Sequence, residues 1–562
     1  MPERKMPRAA SPEEVGVSSG VLAQMMREAV ESELEWHSVM VVRHGKVAYE
    51  DFRRPYSPNI PHVMFSVSKS VTSCAVGFAV EEGLLTVDDK VLDHIPEMRQ
   101  YAPEDPNLER LTVWHLLTMT AGKLVSPLAD KSKKRWVKDY AEGKWSYAPG
   151  EGWNYSNESI YMLCVILKNV AGMCVVDYLM PRLFGPLGIP RPFWEDDGCG
   201  VEAGGWGLYL TTEGFAKLVS CYARGGVFEG RQVVPAGWVA QSGLAQSEHS
   251  GDHREDEHGC NGYGYCFWLN KTPGSYRFDG MFSQLGLVFP EHEACVVVTG
   301  GEVFSRSVLD CLFRHLPQLF EDHPNERSAF WEEAPLTLPD PPADSLGTPV
   351  EALSQNENIP GLPAYPALEA AERNPTMEEI LEGRTVFFRS GALQLPKLLG
   401  FPVSVIPAAA FFMSAEKAGG IDRIRFRFQE NTLKFTWNEG AQRNTVLCGM
   451  DGRARLCKIT LGGVDFIVSC SAAWEGADSG ENRLCLWIRP VNSVAERRLS
   501  FSFKGRQVRM LPSSAPSIEV MGEYAAPFAA AMIPNPALAQ YVAGRMGRIV
   551  AGAEPEHTGT LR

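Results

Sequence analysis

The chain has 562 residues, too many for a single hydrophobic core, so we expect at least two domains. The formal net charge of −14 argues against nucleic acid or an anionic membrane surface as the main partner. The thirteen cysteines are scattered and include no CxxC pair, which favours reduced thiols over a disulfide framework. No apolar run reaches the roughly 18 residues that span a bilayer, and the first residues lack the apolar segment of a signal peptide. We therefore predict a cytoplasmic protein.

The first 320 residues mix helical and strand patterns. Residues 15–32 have the spacing of an amphipathic helix with Ser18 or Ser19 as N-cap, and residues 38–52 form two predicted strands around the turn at His44. The pattern is then mostly helical to about Thr212. Strands return between 263 and 301, and a last helix follows. We therefore predict an α+β domain, residues 1–320, in which distant segments form one antiparallel sheet flanked by helices, with a helical subdomain beside it.

The composition changes after this domain. Residues 321–375 are rich in Pro, Glu, Asp and Ala and are predicted to form a linker. In residues 376–515, apolar and polar residues alternate with period two, as in IDRIRFRFQENTLKFTWNEG. This segment is predicted to form a small antiparallel β barrel or sandwich, and the rows of aromatic side chains on its strands are predicted to form the core. Residues 516–562 read as an Ala- and Pro-rich C-terminal tail.

A lysine three residues after a serine stands out in FSVSKSVTS, residues 65–73, which otherwise reads as a buried helix. Positions i and i+3 share a helix face, so Ser66 and Lys69 can touch. A serine hydroxyl is a weak nucleophile until a base takes its proton, and a lysine serves as that base only if burial or a second cation lowers its pKa. The same spacing recurs at Ser414 and Lys417 in the β domain, so spacing alone does not identify a site.

A second polar cluster lies 89 residues further on, in PGEGWNYSNESIYML. Tyr155 could act as a proton shuttle, and Asn157 could hold the lysine and a substrate carbonyl or amide. The alternative is that both residues only start the helix that follows.

The ordered set FSVSKSVTS, LTVWHLLTMTAG, YAPGEGWNYSN and GGWGLYLTT resembles the serine β-lactamase and penicillin-binding-protein superfamily. The resembling branch holds class C β-lactamases, family VIII carboxylesterases and D-aminopeptidases, and the resemblance covers residues 10–320. It implies that Ser66 is the acyl-accepting nucleophile, Lys69 its base, Tyr155 the shuttle and Asn157 a positioning residue. Several superfamily members also carry a lipocalin-like C-terminal β domain.

The family's third motif, a Lys or His followed by any residue and Gly, falls at Phe278-Asp279-Gly280. Gly280 fits this pattern and Phe278 departs from it, which argues against β-lactams or D-Ala-D-Ala peptides as substrates. The oxyanion hole implied by the resemblance uses the backbone N–H groups of Ser66 and Met281. Arg277 could supply a charge, but strand alternation points it away from the side of Phe278.

The first hypothesis is a serine hydrolase acting on an ester or amide of a small molecule or short peptide, with no metal or organic cofactor. The second keeps the acyl-enzyme but uses an alcohol or amine acceptor, giving an acyltransferase or cyclase. The third is a non-catalytic binding protein on a hydrolase scaffold. The sequence is compatible with a homo-oligomer and does not predict the oligomeric state. The histidines of HSGDHREDEH (His249, His253 and His258) are interpreted as a solvated loop, and GGWG as tight packing near the site.

Overall fold

The structure is a computed structural model in which the chain divides into two compact units, one made chiefly of residues 1–53 and 61–337 and one chiefly of residues 363–562. The described residues are 3–53, 55–123, 135–248, 262–321, 372–388, 421–439, 442–476, 482–531, 536–545 and 556–562. Most of the predicted linker, the pair Ser414 and Lys417, and the segment with His249, His253 and His258 lie outside these ranges.

The first unit is built on a six-stranded antiparallel sheet with the order β2-β1-β10-β9-β8-β7. β1 and β10 pair at the centre, with Val41 opposite Val296, so the prediction of one sheet built from both ends of the domain is confirmed. Two short hairpin-like pairs, β3 with β4 and β5 with β6, lie outside the main sheet. The strands are β1 (Trp36–Arg43), β2 (Lys46–Phe52), β3 (His62–Val63), β4 (Tyr209–Leu210), β5 (Val227–Phe228), β6 (Arg231–Gln232), β7 (Trp268–Leu269), β8 (Tyr276–Gly280), β9 (Gln284–Phe289) and β10 (Ala294–Gly300).

Helices cover both faces of this sheet and form the subdomain beside it. The first helix begins after Ser18, whose hydroxyl accepts the N–H of Val21 at 3.3 Å, as predicted. The helices are α1 (Ser19–Glu31), α2 (Val67–Glu81), α3 (Val91–His94), α4 (Met98–Tyr101), α5 (Pro106–Arg110), α6 (Val113–Leu117), α7 (Trp136–Glu142), α8 (Asn157–Ala171), α9 (Val175–Leu179), α10 (Thr212–Ala223), α11 (Ala236–Ser242) and α12 (Ser305–Leu319).

The two sheet faces have separate cores. Apolar side chains of α1 and α12 pack on one face of β1, β9 and β10 in a single buried cluster. On the other face, Gly286 of β9 leaves no room for a Cβ, which would lie 2.6 Å from Val219 and 2.7 Å from Phe215 of α10. This close approach explains a glycine inside a buried strand.

The second unit is a closed antiparallel barrel. Its strands follow the order β14-β13-β12-β11-β20-β19-β18-β17-β16-β15, and a parallel bridge from Gly449 to Ser471 joins β14 to β16, so that nine strands close the ring and β15 pairs outside it. The strands are β11 (Thr385–Phe388), β12 (Ile421–Gln429), β13 (Thr432–Glu439), β14 (Gln442–Gly449), β15 (Arg455–Leu461), β16 (Val464–Glu475), β17 (Arg483–Pro490), β18 (Glu496–Lys504), β19 (Gln507–Ala515) and β20 (His557–Leu561); its helices are α13 (Pro375–Leu381), α14 (Ile518–Ala531) and α15 (Pro536–Ala543).

Aromatic side chains fill the described part of the barrel interior. Phe426, Phe435 and Trp437 have no solvent exposure, and Phe426 contacts Phe501 edge to face with centroids 5.2 Å apart. The expectation that these stripes form core is confirmed. Within the described ranges, no single helix is long and apolar enough to cross a bilayer; one helix pair bent by 66°, Asn157–Ala171 with Val175–Phe184, meets length and composition criteria only.

One strand lies where the sequence predicts a tail. β20 pairs with both β11 and β19, although residues 516–562 were expected to lie outside the β domain. The segment HTGTL is short and follows Ala-rich helices, so its strand pattern is weak by itself.

The ring depends on the close fit of β20 against β11. A Cβ on Gly559 would lie 2.6 Å from Val386 Cγ1 and 3.0 Å from the carbonyl oxygen of Phe387. We expect Gly559→Ala to lower the free energy of unfolding of the barrel by about 1–3 kcal/mol through overpacking. Urea unfolding followed by tryptophan fluorescence measures this, with Thr558→Ala, an exposed position on the same strand, as the control. Equal midpoints for the two variants would contradict the expectation.

Candidate active site

Ser66 stands at the turn between β3 and α2, at the N-cap position of the helix. The residue before it, Phe65, has φ +43°, a left-handed conformation that costs energy for a bulky residue. The N–H of Val67 donates to the carbonyl of Met64 at 3.1 Å and closes this turn. The serine hydroxyl is therefore held at a helix N-terminus, where the potential is positive.

Lys69 lies one helical turn after Ser66 and is 1% exposed. Its Nζ lies 2.8 Å from Ser66 Oγ, 2.6 Å from Asn157 Oδ1 and 2.7 Å from the carbonyl oxygen of Gly205. These three contacts satisfy a buried amine that would otherwise be strongly unfavourable. The structure thus brings Ser66, Lys69 and Asn157 together as the sequence predicts.

Burial lowers the pKa of Lys69 to about 7, because desolvation penalises the ammonium form. Nearby groups that carry or can carry negative charge, Cys266, Glu158 and Asp279, act in the opposite direction. An amine with this pKa is substantially neutral near pH 7, so it can accept a proton.

Helix α8 positions Asn157 and the tyrosine before it. Ser156 is the N-cap of α8, and its hydroxyl accepts the N–H of Ser159 at 3.1 Å, so the capping role falls to Ser156 rather than to its neighbours. Asn157, the first helical residue, turns its amide oxygen to Lys69. The ring of Tyr155 faces the same amine, with its centroid 4.6 Å from Nζ.

The carbonyl of Gly205 is a site group that the sequence analysis did not identify. It belongs to the GGWG segment, which was expected only to pack tightly near the site. A Cβ on Gly205 would lie 3.0 Å from Asn157 Oδ1, so glycine lets this backbone approach the amine. The close spacing of glycines was the available signal, but it did not indicate which carbonyl would be used.

The end of β8 lies against the Ser66 turn. A Cβ on Gly280 would be 2.4 Å from the carbonyl oxygen of Met64 and 3.3 Å from the nitrogen of Val67, so no other residue fits there. Met281 follows directly. Within the described part of the chain, the N–H groups of Ser66 and Met281 have no protein acceptor.

Two phenylalanines border this pair of N–H groups. Phe282, with φ +60°, follows Met281, and its ring lies 5.2 Å from that of Phe65. Both backbone segments are therefore held in the left-handed region and joined by one aromatic contact.

The side chains of β8 separate as strand alternation predicts. Phe278 is fully buried, with its ring 4.7 Å from that of Phe267 and 5.8 Å from that of Phe215. Arg277 lies on the opposite face and donates through Nε to Asp279 Oδ2 at 2.7 Å and through Nη1 to Asn270 Oδ1 at 2.8 Å. The motif position therefore holds a core aromatic residue, and the residue between it and Gly280 is a carboxylate.

An aromatic cluster adjoins Tyr155 and was not recognised from the sequence. Ring centroids of Trp153, Tyr155, Tyr263 and Trp268 lie between 5.1 and 6.5 Å apart. The four residues come from two segments about 110 positions apart, so no local pattern joins them. Trp268 is also paired with Arg277 across β7 and β8, which connects the cluster to the face that carries Asp279.

The described residues contain no candidate metal site. Among them, no group of three or more His, Cys, Asp or Glu side chains could hold a metal ion. The twelve cysteines in those ranges are all free thiols. The segment with His249, His253 and His258 is outside the described residues.

Comparison with known proteins identifies the family. The family model described as Beta-lactamase matches residues 22–302. An uncharacterised protein of Alkalihalophilus pseudofirmus is 23% identical over 301 residues, covering 46% of this chain and 82% of that protein. The 6-aminohexanoate-dimer hydrolase of Paenarthrobacter ureafaciens is 24% identical over 217 residues, covering 36% of this chain and 55% of the relative. The solved structure of EstCE1, described as a hydrolase with promiscuous acyltransferase activity, aligns with TM-score 0.42 and 17% identity over 55% of this chain and 99% of its own.

The residues that the family model matches lie in the first unit, whose antiparallel sheet and helices form a β-lactamase-like fold. The chain belongs to the beta-lactamase family. The closed C-terminal barrel is an addition outside the matched residues.

The pKa of Lys69 should respond to the charge at position 157. We expect Asn157→Asp to raise the Lys69 pKa by one unit or more, because a carboxylate within hydrogen-bond reach favours the ammonium. Titration of the ¹³C-labelled lysine side chain by NMR measures this. Asn169→Asp, at the exposed end of the same helix, is the control. An unchanged Lys69 pKa in Asn157→Asp would show that the contact is absent in solution.

Proposed function

We propose that this protein is a serine hydrolase that cleaves an ester or amide of a small molecule or short peptide through an acyl-enzyme on Ser66. The observation that carries the proposal is the buried Lys69 amine, 2.8 Å from the Ser66 hydroxyl. A neutral amine has one lone pair. Its other two contacts, the carbonyl oxygen of Gly205 and Asn157 Oδ1, can only accept, so the lone pair is left for the serine proton.

The steps follow from this arrangement. Lys69 takes the hydroxyl proton as Ser66 Oγ attacks the substrate carbonyl carbon, and the N–H groups of Ser66 and Met281 stabilise the developing oxyanion. Tyr155 passes its proton to the leaving oxygen or nitrogen as the bond from that atom to the carbonyl carbon breaks, and the Lys69 ammonium returns a proton to Tyr155. Water then attacks the acyl carbon and gives a proton to Lys69, the bond from that carbon to Ser66 Oγ breaks, the acid is released, and Lys69 returns the proton to Ser66.

Two other functions use the same scaffold. If an alcohol or amine attacked the acyl-enzyme in place of water, the protein would be an acyltransferase or cyclase. Exclusion of water from the site would favour this transfer over hydrolysis. A binding protein without catalysis would not need a buried amine aimed at a serine, because such an amine costs stability. A cytoplasmic location and a homo-oligomeric state remain predictions.

The nucleophile and base can be tested by mass spectrometry. We expect Ser66→Ala and Lys69→Ala each to abolish acylation by p-nitrophenyl esters and amino-acid amides while circular dichroism stays native. For the unsubstituted protein, the acylation rate should fall as pH drops through about 7, because protonated Lys69 cannot accept the serine proton. Lys144→Ala, an exposed lysine, is the control. Near-native acylation of either site variant would refute the assignment.

The carboxylate of Asp279 is expected to influence which substrate charge the protein prefers. This carboxylate immediately precedes Gly280, whose backbone touches the Ser66 turn, and it is close enough to influence the pKa of Lys69. Arg277 forms an ion pair with it at 2.7 Å that offsets part of its charge, but the guanidinium is itself more buried than the carboxylate and is also bonded to Asn270. A substrate carboxylate at this edge would meet a like charge, so neutral and cationic substrates are favoured over anionic ones.

Matched esters test this preference. We expect the protein to prefer p-nitrophenyl pentanoate over the p-nitrophenyl half-ester of glutaric acid in kcat/KM. Asp279→Asn should shrink that ratio by roughly tenfold, which corresponds to about 1.4 kcal/mol of repulsion. Asp93→Asn, an exposed change on α3, should leave the ratio unaltered. An unchanged ratio in Asp279→Asn would exclude this role for the carboxylate.

A further inference from the structure

The outer face of β12, β13 and β14 carries a concentration of positive charge. Side chains that alternate away from the barrel interior line a groove of about 280 Å³. Its lining residues, here called the arginine groove, are Arg425, Arg427, Lys434, Thr436, Arg443 and Thr445. Strand register explains the grouping, because Arg425, Thr436 and Thr445 lie side by side across the three strands, and Arg427 lies opposite Lys434.

The cations of the arginine groove lack acidic partners in the described part of the chain. Arg427, Lys434 and Arg443 are exposed and make no ion pair there, and Arg425 donates Nε to the carbonyl oxygen of Gly383 at 2.7 Å. Elsewhere on the same barrel, several basic residues are paired: Lys458 with Asp465, Arg489 with Glu496, and Arg498 with Glu475. What distinguishes the groove is that four basic residues line one depression with no acidic residue among its lining residues.

This arrangement opposes stability when nothing is bound. Like charges directly opposite each other across antiparallel strands are destabilising, and Arg427 and Lys434 form such a pair. Arg425 and Arg427 also share one strand face. A chain with net charge −14 has enough carboxylates to place one here, yet the groove contains none. An anion would remove the repulsion.

We propose that the arginine groove is a binding site for a compact ligand bearing several phosphate or sulfate groups. Guanidinium groups match the oxygens of these anions with paired N–H donors, and a lysine adds a point charge. Thr436 and Thr445 also line the groove; their hydroxyl oxygens lie 2.9 Å apart, so one hydroxyl donates to the other and the pair leaves one neutral donor for a ligand. The four cations suit more than one negative charge.

The size and surrounding charge favour a compact ligand over a nucleic acid or a membrane. A groove of about 280 Å³ holds a few phosphate-sized groups. An extended polyanion would also meet the field of a chain whose net charge is −14, which repels it over longer distances. The site lies within the barrel unit and requires nothing of the chemistry proposed at Ser66.

Sodium tripolyphosphate is a suitable probe for the full-length chain at low ionic strength. We expect saturable one-to-one binding by isothermal titration calorimetry, with affinity falling as salt is added. Lys434→Gln and Arg427→Gln should each weaken binding by roughly tenfold, as expected for a lost charge-assisted contact. Lys504→Gln, an exposed lysine outside the groove, should bind like the unsubstituted protein.

Stability supplies a second readout that does not need the ligand. At low salt, Lys434→Gln should raise the unfolding midpoint of the barrel, because it removes the charge opposite Arg427, and the gain should disappear at 1 M salt. Absence of tripolyphosphate binding, or equal binding by the groove variants and Lys504→Gln, would overturn the proposal. Tighter groove-dependent binding of single-stranded DNA or phosphatidylglycerol vesicles would overturn the compact-ligand assignment.

Discussion

The active-site unit is organised around one buried nitrogen. Taking an amine out of water costs several kcal/mol if it stays charged and is costly even when neutral, so Lys69 is tolerable only with hydrogen-bond partners at short distance. Those partners come from three separate segments: Ser66 on its own helix, Asn157 at the start of α8, and the Gly205 loop. Helices α2 and α8 and the Gly205 loop must all be in place before the amine is satisfied. Formation of this site therefore depends on the packing of three segments that are distant in the sequence.

The backbone on both sides of the proposed oxyanion site is strained. Phe65 and Phe282 both adopt positive φ, and each is the immediate neighbour of a residue whose N–H has no acceptor among the described residues. Their rings contact each other, so the packing energy of two aromatic side chains holds both turns in unfavourable conformations. Gly280 permits the approach of the two segments because a side chain there would collide with Met64. Donor geometry is thus set before any substrate arrives.

Sequence reasoning succeeded where chemistry and spacing were local. Ser66 and Lys69 lie on one helix, so their contact followed from the i, i+3 relation, and the YSN turn was identified by its position before an apolar helix. Gly205 escaped recognition because a backbone carbonyl carries no side-chain signal. The aromatic cluster beside Tyr155 is assembled from distant segments, so no local pattern predicts it. β20 is too short for its alternation of apolar and polar residues to predict a strand. Phe278 departs from the family motif in the sequence alone, but only the fold shows that the neighbouring Asp279 carboxylate pairs with Arg277 and acts on the pKa of Lys69.

The two units use cations in opposite ways, and the difference follows from the side chains chosen. A lysine can lose its proton when it is desolvated, so Lys69 is buried and its pKa falls to about 7, the range in which a base is useful. An arginine stays charged under all ordinary conditions, and Arg427 and Arg443 of the arginine groove are exposed, where a fixed charge and planar donors suit the proposed recognition of an anion. Exchanging the two residue types would defeat both arrangements, because an arginine at position 69 could not accept the serine proton and a row of lysines would lose the paired donor geometry. The choice between lysine and arginine therefore separates the site proposed to move a proton from the surface proposed to hold an anion.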